Sequence, residues 1–355
     1  MNVINVFEMN IESYKFKDIL PSIFLGDTSC WADVIDNALF PSCHYNWGNV
    51  KYQNKYYSSI CNYNDLPIIF FSKNKPIAIF PIAILDGSSN PKIVSNGDAI
   101  YEPLIVRSAT SKEVKAINEI CLKIVEDLSK RLDVPQVQFQ LASSPMGLSQ
   151  WASEQLLISH TVKVGQKLEI DLTGTLDDIR KDFRKSYRPL INKGLKTWNV
   201  DVIESENAEI FWDFKSLHVQ VARRETRNID SWNEQYEMLK RGEAFLVTLR
   251  CKNDKLVGAG LFLYNSQSSV YASAAYKRDL FSEPLGHVVQ FKALQVMKNK
   301  NLLRYEIGTI FSEHDGFSKK ESAIGKFKSG FSNESHLIVY VNRYYKNILS
   351  DEHLK

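Results

Sequence analysis

The segment KKESAIGKFKSGFSNE (319–334) concentrates four lysines beside two glycines and two phenylalanines. Lys326 and Lys328 flank Phe327, so in an extended chain both lysines point to one side and the ring to the other. Phe327 then anchors in the core while the lysines face a cleft. A lysine held in that position stabilises the negative charge that develops on a carbonyl oxygen during acyl transfer. The alternative interpretation is an exposed basic turn before the last strand.

A histidine beside several arginines is the second candidate for chemistry. The stretch SLHVQVARRETRNIDSW (216–232) contains His218, Arg223, Arg224 and Arg227. Neighbouring positive charges make an imidazole lose its proton more readily. A neutral imidazole suits a general base that acts near neutral pH. A histidine in the core or at a helix cap is the competing interpretation.

A strongly basic stretch, LDDIRKDFRKSYRPLINKGLKTW (176–198), has a helical pattern. Arg184 and Arg188 are four residues apart, which predicts that they share one helix face, and two guanidinium groups there suit phosphate or carboxylate. Pro189 interrupts or kinks a helix, and Gly194 is well placed to end one. A solvated charged face is the alternative.

The stretch SAAYKRDLFSEPLGHVVQFKAL (273–294) is predicted to run from a strand through a loop into a helix. The loop holds Pro284 and Gly286. Exposed amides at the start of such a helix accept anions. The stretch lacks both the P-loop pattern and the glycine-rich run that wraps the pyrophosphate of coenzyme A in GNAT acetyltransferases.

Length and composition limit the class of protein. A chain of 355 residues favours two domains of roughly 150–200 residues each. The net charge of +3 does not by itself indicate nucleic acid as a partner. Five cysteines without a CxxC pair predict reduced thiols, a cytoplasmic location and no metal site. The N-terminal stretch MNVINVFEMNIESYKF predicts no secretory signal, and the apolar runs fall short of the ~20 residues of a membrane span.

The two halves of the chain have the same order of predicted elements: a hairpin, a strand, a helix and a strand. In the first half these elements cover 66–85, 99–106, 111–132 and 137–142, and in the second half 243–265, 268–276, 286–301 and 302–308. The repetition predicts two α/β domains of similar architecture, at 1–165 and 166–355.

These motifs together resemble the Fem-type (FemABX) transferases, GNAT-like proteins that build peptidoglycan cross-bridges, and related acyltransferase-like proteins of bacterial surface-glycan loci. The resemblance is carried by RKSYRPLINKG, with Arg184, Ser186, Arg188 and Gly194, and by the H…RRETR…SW segment. It is completed by YKRDLFSEPLGH, RYEIG and KKESAIGKFKSGF. It covers roughly 165–335, while the N-terminal half matches only in its order of elements.

The resemblance implies an α/β fold with mixed sheets, in which two GNAT-like domains pack around a cleft. It implies transfer of an activated acyl or aminoacyl group to an amine. The family's functional lysine after phenylalanine carries over onto Lys328, which with His218 forms the catalytic pair. The residues expected to bind substrate are Arg184, Arg188, Arg224, Arg227, Tyr276, His287, Lys320 and Lys326.

The donor and the acceptor stay open at this point. The tRNA-holding coiled-coil arm of some cross-bridge enzymes is absent, because 178–215 is too short, and EPLGH lacks the usual cradle for coenzyme A. The donor is therefore aminoacyl-tRNA or acyl-coenzyme A, with no tightly bound cofactor and weak or no binding of free acetyl-coenzyme A. The favoured acceptor is an amino group of a nucleotide- or lipid-linked cell-envelope or surface-glycan precursor. The alternatives are an acetyl-coenzyme A-dependent N-acetyltransferase of an amino sugar, such as a nonulosonate precursor, and a non-catalytic GNAT-like module that binds an anionic glycan or nucleotide.

Overall fold

The structure, a computed structural model, describes residues 11–26, 28–87, 90–311 and 318–345. The N-terminal stretch from which the sequence predicts no secretory signal lies largely outside this part. The described residues form ten α-helices and thirteen strands, which confirms the α/β class with mixed sheets. Among these helices, none is both long and apolar enough to cross a lipid bilayer.

The chain divides into two compact units. The first unit comprises Met1–Gly165 and Leu337–Lys355, and the second Gln166–His336. The sequence prediction placed the residues after Leu337 in the second domain. They group with the first unit because strand β13 (Glu334–Tyr344) pairs, from Ile338 onward, with β6 (Gln136–Ala142).

The first unit contains a largely antiparallel sheet in the order β1-β2-β3-β4, with β5 also paired to β3. The strands of this sheet are β1 (Ile19–Ile23), β2 (Asn62–Ser72), β3 (Lys75–Asp86), β4 (Lys92–Val94) and β5 (Leu104–Ile105). The helices of the first unit are α1 (Thr28–Asn37), α2 (Trp47–Tyr57), α3 (Ser111–Arg131) and α4 (Gln150–Ile158).

The predicted hairpin in the first half is confirmed as β2 and β3. Its turn residues Lys73 and Asn74 have φ values of 50° and 63°, as a two-residue turn matched to the strand twist requires. The predicted strand at 99–106 is wrong, because only Leu104–Ile105 pairs with β3. Pro103 has no N–H to donate to a ladder, and Ile100 forms an isolated bridge elsewhere.

The second unit contains the sheet that carries the candidate site. Strands β12, β11, β10, β9 and β8 lie side by side in that order, and only β11 and β12 of these are parallel. The strands are β7 (His160–Asp171), β8 (Asn199–Ile203), β9 (Ala244–Arg250), β10 (Leu256–Tyr264), β11 (Ser268–Tyr276) and β12 (Arg304–Phe311). The helices are α5 (Leu176–Asp182), α6 (Tyr187–Thr197), α7 (Ala208–Ala222), α8 (Ile229–Lys240), α9 (Leu285–Asn299) and α10 (Lys319–Lys328).

The basic stretch 176–198 is two helices, α5 and α6, rather than one. Pro189 lies in the first turn of α6, where a missing N–H removes no helical hydrogen bond. Arg184 precedes α6 and therefore does not share a helix face with Arg188, contrary to the sequence prediction. Gly194 does not end the helix either. A Cβ on Gly194 would lie 2.2 Å from Cγ2 of Val288 in α9, so this glycine permits close packing of the two helices.

This packing predicts that Gly194→Ala destabilises the protein even though alanine favours helix. Overpacking costs about 1–3 kcal/mol, and the helix propensity returns about 1 kcal/mol. We expect the free energy of unfolding, measured by urea denaturation, to fall by up to about 2 kcal/mol. The matched control is Gly174→Ala, where the new Cβ would lie 3.8 Å from Asp178 Cβ. Equal stability of the two variants would contradict the packing role of Gly194.

Candidate functional site

Strands β11 and β12 are hydrogen-bonded over only part of their length. Their parallel register runs from Ser268 opposite Arg304 to Val270 opposite Glu306, which is three residue pairs. Strand β11 continues to Tyr276 and stays paired with β10 on its other side. The two strands therefore share no ladder beyond Val270, and the edge of β11 that faces β12 is available to other groups.

Lys328, the last residue of α10, lies where β11 and β12 separate. Its Nζ is 5.6 Å from the ring centroid of Tyr271 in β11. On the β12 side, a Cβ at Gly308 would come 2.2 Å from the same Nζ. Gly308 also has a φ of 142°, which side chains other than glycine rarely adopt. Glycine at this position thus leaves the space that the lysine fills.

Burial controls the ionisation of the groups around this lysine. Burial lowers the pKa of Lys328, and the nearby carboxylate of Glu306 opposes that shift. The hydroxyls of Tyr271 and Tyr276 share a hydrogen bond of 2.7 Å. Burial raises the pKa of Tyr271 to about 12 and that of Tyr276 well above its ordinary value. Both phenols are therefore protonated at neutral pH, beside a partly desolvated amine.

The segment around Lys328 is helical, so the predicted extended conformation is wrong. Helix α10 begins with a capping box, in which Ser318 Oγ accepts from Glu321 N at 3.3 Å and Glu321 Oε2 accepts from Ser318 N at 2.8 Å. Successive helical residues are rotated by about 100°, so Lys326 and Lys328 point to different sides. Lys326 is exposed, whereas Lys328 is half-buried.

Phe327 joins an aromatic cluster next to the lysine. Its ring centroid lies 5.9 Å from that of Tyr187, 5.1 Å from His287 and 5.3 Å from Phe331. A Cβ on Gly286 would come 2.9 Å from Phe327 Cζ. The glycine in EPLGH therefore makes room for this ring at the start of α9.

Arg184 and Arg188 of the basic stretch both donate to backbone carbonyls. Arg184 Nη2 donates to the carbonyl oxygen of Lys326 at 3.0 Å, and its Nη1 donates to the Tyr187 hydroxyl at 3.1 Å. Arg188 donates to the carbonyl oxygen of Lys181. Arg184 thus fixes the C-terminal end of α10, where a cation is electrostatically favoured. The predicted phosphate-binding roles of both arginines stay predictions.

His218 in α7 forms a small cluster with Arg227. Its Nδ1 is hydrogen-bonded to Thr226 Oγ1 at 3.2 Å, and its ring centroid lies 5.3 Å from that of Trp232. Arg227 stacks 4.5 Å from the Trp232 ring and donates to Gln235 Oε1 at 2.9 Å. Burial, followed by the charge of Arg227, lowers the pKa of His218 to about 4. The imidazole is therefore neutral at pH 7, but a weaker base than one matched to neutral pH.

The remaining candidates are divided between these clusters and the surface. Burial, followed by the charge of Arg184, lowers the pKa of His287 to about 4. Arg224 and Lys320 are exposed, and in the described part of the chain neither forms a hydrogen bond or ion pair with another candidate side chain. The structure brings the candidates together in three groups. Lys328 is linked to Tyr276 through Tyr271. Arg184 lies near His287 and the backbone of Lys326, and His218 lies near Arg227.

Sequence reasoning missed Tyr271, Glu306 and Gly308. The motif RYEIG, which contributed to the family resemblance, contains both Glu306 and Gly308. Alternation along β12 places these two residues on one face, so the motif held a usable signal. The sequence contains no such signal for Tyr271, because its contact with Lys328 depends on the position of α10.

Another cluster has the residue types of a metal site. Ligand atoms of Glu169, Glu334 and His336 lie within 4.8 Å of one another. Arg304 Nε donates to Glu169 Oε2 at 2.8 Å, and Arg304 also donates to Glu334. Lys167 Nζ lies 2.6 Å from the other oxygen of Glu169. Because a guanidinium already neutralises these carboxylates, the arrangement is a buried ion-pair network, and a metal ion would have to displace Arg304.

The comparisons with known proteins establish the fold. No family model and no curated protein matches the chain. The structure of FemX is similar with a TM-score of 0.63 and 11% identity, over 91% of this chain and 96% of that chain. The C-terminal domain of a putative lysylphosphatidylglycerol synthetase from Agrobacterium fabrum is similar with a TM-score of 0.57 and 12% identity, over 88% and 91% of the two chains. A tandem GNAT protein from the clavulanic acid biosynthesis pathway is similar with a TM-score of 0.51 and 12% identity, over 92% of this chain and 99% of that chain. The predicted resemblance to Fem-type and GNAT-like proteins is thus confirmed for the fold.

The lowered pKa of His218 can be tested directly. We expect its imidazole to titrate near pH 4 in an NMR experiment, instead of near its ordinary value of 6.5. In Arg227→Gln the titration should move upward but stay below 6.5, since burial is the larger cause. The exposed neighbour provides a matched control, Arg224→Gln, which should leave the curve unchanged. A wild-type His218 that titrates above 6.5 would refute this account.

The burial of Lys328 predicts a gain in stability when its charge is removed. The folded-state pKa lies below the unfolded value of 10.5, so the unfolded chain binds more protons between these values and wild-type stability rises with pH across that window. We therefore expect Lys328→Met to raise the melting temperature at neutral pH, and the gain to shrink as pH approaches 10.5. Lys326→Met, at an exposed position, should change the melting temperature little. A gain independent of pH would exclude lysine ionisation as its cause.

Proposed function

We propose that this chain is an acyl- or aminoacyltransferase whose reaction site is the opening between β11 and β12. The observation that carries the proposal is the position of Lys328, whose Nζ reaches both strands beyond their last hydrogen-bonded pair. The fold shared with FemX and with a tandem GNAT protein supports it. An activated acyl group and an amine would meet at this opening, and their positioning would supply much of the rate.

In the proposed reaction the amine attacks the acyl carbonyl, whose oxygen becomes negatively charged. The ammonium of Lys328 stabilises this oxyanion, together with N–H groups on the open edge of β11. Such donors act most strongly in a site that excludes water. The hydrogen-bonded phenols of Tyr271 and Tyr276 hold the ring beneath Nζ in place. The leaving group departs as a thiol or a ribose hydroxyl, depending on the donor.

His218 remains the candidate base that takes the proton of the attacking amine. Its neutral imidazole has an acceptor nitrogen at neutral pH, but a pKa of about 4 makes it a weak base. Proton transfer is therefore the smaller contribution in this proposal, and oxyanion stabilisation the larger one. Arg184, Arg188, Arg224, Arg227, Tyr276, His287, Lys320 and Lys326 stay the proposed substrate-binding set.

The proposed acceptor is an amino group of a nucleotide- or lipid-linked cell-envelope or surface-glycan precursor, in the cytoplasm. The motifs that resemble Fem-type transferases, RKSYRPLINKG and KKESAIGKFKSGF, favour this choice. A second candidate is an acetyl-coenzyme A-dependent N-acetyltransferase, which the tandem GNAT structure favours. A thermal-shift comparison of aminoacyl-tRNA with acyl-coenzyme A distinguishes the two, because a ligand that binds only the folded state stabilises it by an amount that grows with the logarithm of ligand concentration over Kd.

The role of Lys328 predicts a loss of turnover without a loss of folding. With the donor and acceptor identified by that comparison, Lys328→Met should lower kcat by ~10²–10³, the effect of removing one oxyanion donor. KM should change little, because the contact strengthens only in the transition state. Initial-rate kinetics on the purified protein measure both values.

Two matched variants sharpen this test. Lys326→Gln removes an exposed lysine of the same helix and should retain most activity. Phe327→Ala should instead lower the free energy of unfolding by ~3 kcal/mol, the lower end of the range for a buried ring. Full turnover in Lys328→Met would overturn the proposed mechanism and return α10 to a structural role.

A further inference from the structure

Gln290 is a polar residue at a fully buried position of α9. Its Oε1 accepts a hydrogen bond of 2.6 Å from the hydroxyl of Tyr305 in β12, which is equally buried. Its Nε2 is also shielded from solvent and forms no hydrogen bond with any residue that the structure describes. A buried donor without a partner is costly. A leucine would fill a similar volume without that donor, so packing alone does not explain a glutamine here.

The amide nitrogen of Gln290 faces the tyrosine pair of the proposed reaction site. Burial raises the pKa of Tyr271 to about 12, whereas the Tyr276 hydroxyl and, less strongly, the Gln290 side chain oppose that shift. A neighbouring group opposes it by directing a hydrogen-bond donor at the phenol oxygen. Only Nε2 of Gln290 can donate, and Oε1 is already held by Tyr305. The unpaired nitrogen is therefore the atom that approaches Tyr271.

Two glycines of β10 hold the rings of the tyrosine pair in place. A Cβ on Gly260 would lie 3.2 Å from Tyr271 Cε2, and a Cβ on Gly258 would lie 2.8 Å from Tyr276 Cδ1. A larger residue at either position would displace a ring. The ring of Phe262 also stacks on that of Tyr271, with 5.1 Å between the centroids. The positions of the two hydroxyls are thus set by packing, and their direction is left to hydrogen bonding.

The direction of the bond between the two hydroxyls follows from the groups around Tyr271. A phenol has one O–H to donate. The hydroxyls of Tyr271 and Tyr276 are 2.7 Å apart, and no other described residue lies at hydrogen-bond distance from the Tyr271 hydroxyl. With a donor, Nε2 of Gln290, on its other side, Tyr271 can place its proton only on Tyr276. Tyr276 then keeps its own proton for an acceptor outside the pair.

We propose that Gln290 is a positioning residue of the reaction site, because its amide directs the hydrogen bonds of the tyrosine pair so that Tyr276 presents a proton rather than a lone pair to the substrate. Gln290 itself touches no reacting atom. The use of the Tyr276 proton rests on the acyl transfer proposed above, in which a second donor would join Lys328 in stabilising the oxyanion. The direction of the network from Tyr305 to Tyr276 does not rest on it.

Carbon-13 NMR of the full chain, labelled at tyrosine Cζ, tests the direction of the network without any substrate. The Cζ shift of a phenol depends on whether its oxygen donates or accepts, and Tyr271→Phe and Tyr276→Phe assign the two signals. We expect both signals to move in Gln290→Leu. The matched control Gln295→Leu, at a half-buried position of the same helix, should leave them unchanged. If the unpaired Tyr305 hydroxyl prevents folding, Gln290→Leu/Tyr305→Phe removes both partners and replaces the single variant.

Gln290→Glu distinguishes a directing role from a packing role, because the two side chains have nearly the same shape. A protonated carboxyl accepts from Tyr305 and donates to Tyr271, as the amide does, whereas a carboxylate accepts from both. Burial raises the pKa of such a carboxyl above its ordinary value of about 4.3. As pH rises through that pKa, the Tyr276 signal should shift along a titration that the wild type lacks. With substrates identified, kcat should fall over the same pH range while KM changes little.

The outcomes separate this proposal from acyl transfer itself. A Tyr276 signal that stays unmoved in Gln290→Leu would overturn the proposal, even if the Tyr271 signal moves. Moved signals with wild-type kcat in Gln290→Leu would also overturn it, although turnover would still support acyl transfer. Absence of turnover in the wild type would count against acyl transfer, and the NMR signals would still decide the direction of the network.

Discussion

The short parallel ladder between β11 and β12 is the constraint on which the candidate site depends. At its closed end, Arg304 lies opposite Ser268 and donates to the buried carboxylate of Glu169. Removing one partner of a buried ion pair is strongly destabilising, so this network holds β12 against β7 at that end of the ladder. Beyond the last pair the sheet no longer fills the space, and Lys328 enters it from α10. The end of the ladder at Arg304 therefore has a structural role, whereas the space beyond Val270 is available for chemistry.

The order of elements could be read from the sequence because it follows from local periodicity. Both hairpins, the helices at 111–132 and 286–301 and the strand 268–276 are present close to their predicted limits. The errors arise where a local signal competes with another. Helix α10 contains a glycine and few buried side chains, so its sequence has little apolar periodicity. Its capping box was therefore not recognised as the start of a helix. The stretch 176–198 has one helical pattern but two helices, because the backbone is extended at Phe183 (ψ 146°) and makes a turn before Tyr187.

The candidate site was predictable in residue type but not in geometry. Lys328 could be chosen from its motif, because the functional lysine that follows phenylalanine in Fem-type proteins carries over onto it by resemblance. The partners Tyr271 and Gly308 could not, because they approach Lys328 only through the packing of α10 on the sheet. The same packing explains the position of Arg184, whose positive charge had suggested a phosphate-binding role. In the fold its guanidinium meets the carbonyl at the end of α10 instead.

Lys328 departs from local structural preferences at the proposed reaction site. Its amine is partly desolvated beside the phenols of Tyr271 and Tyr276. A methionine would fill the same space without that desolvation, so folding alone does not require a lysine at this position. Such local inconsistencies are expected where function opposes stability.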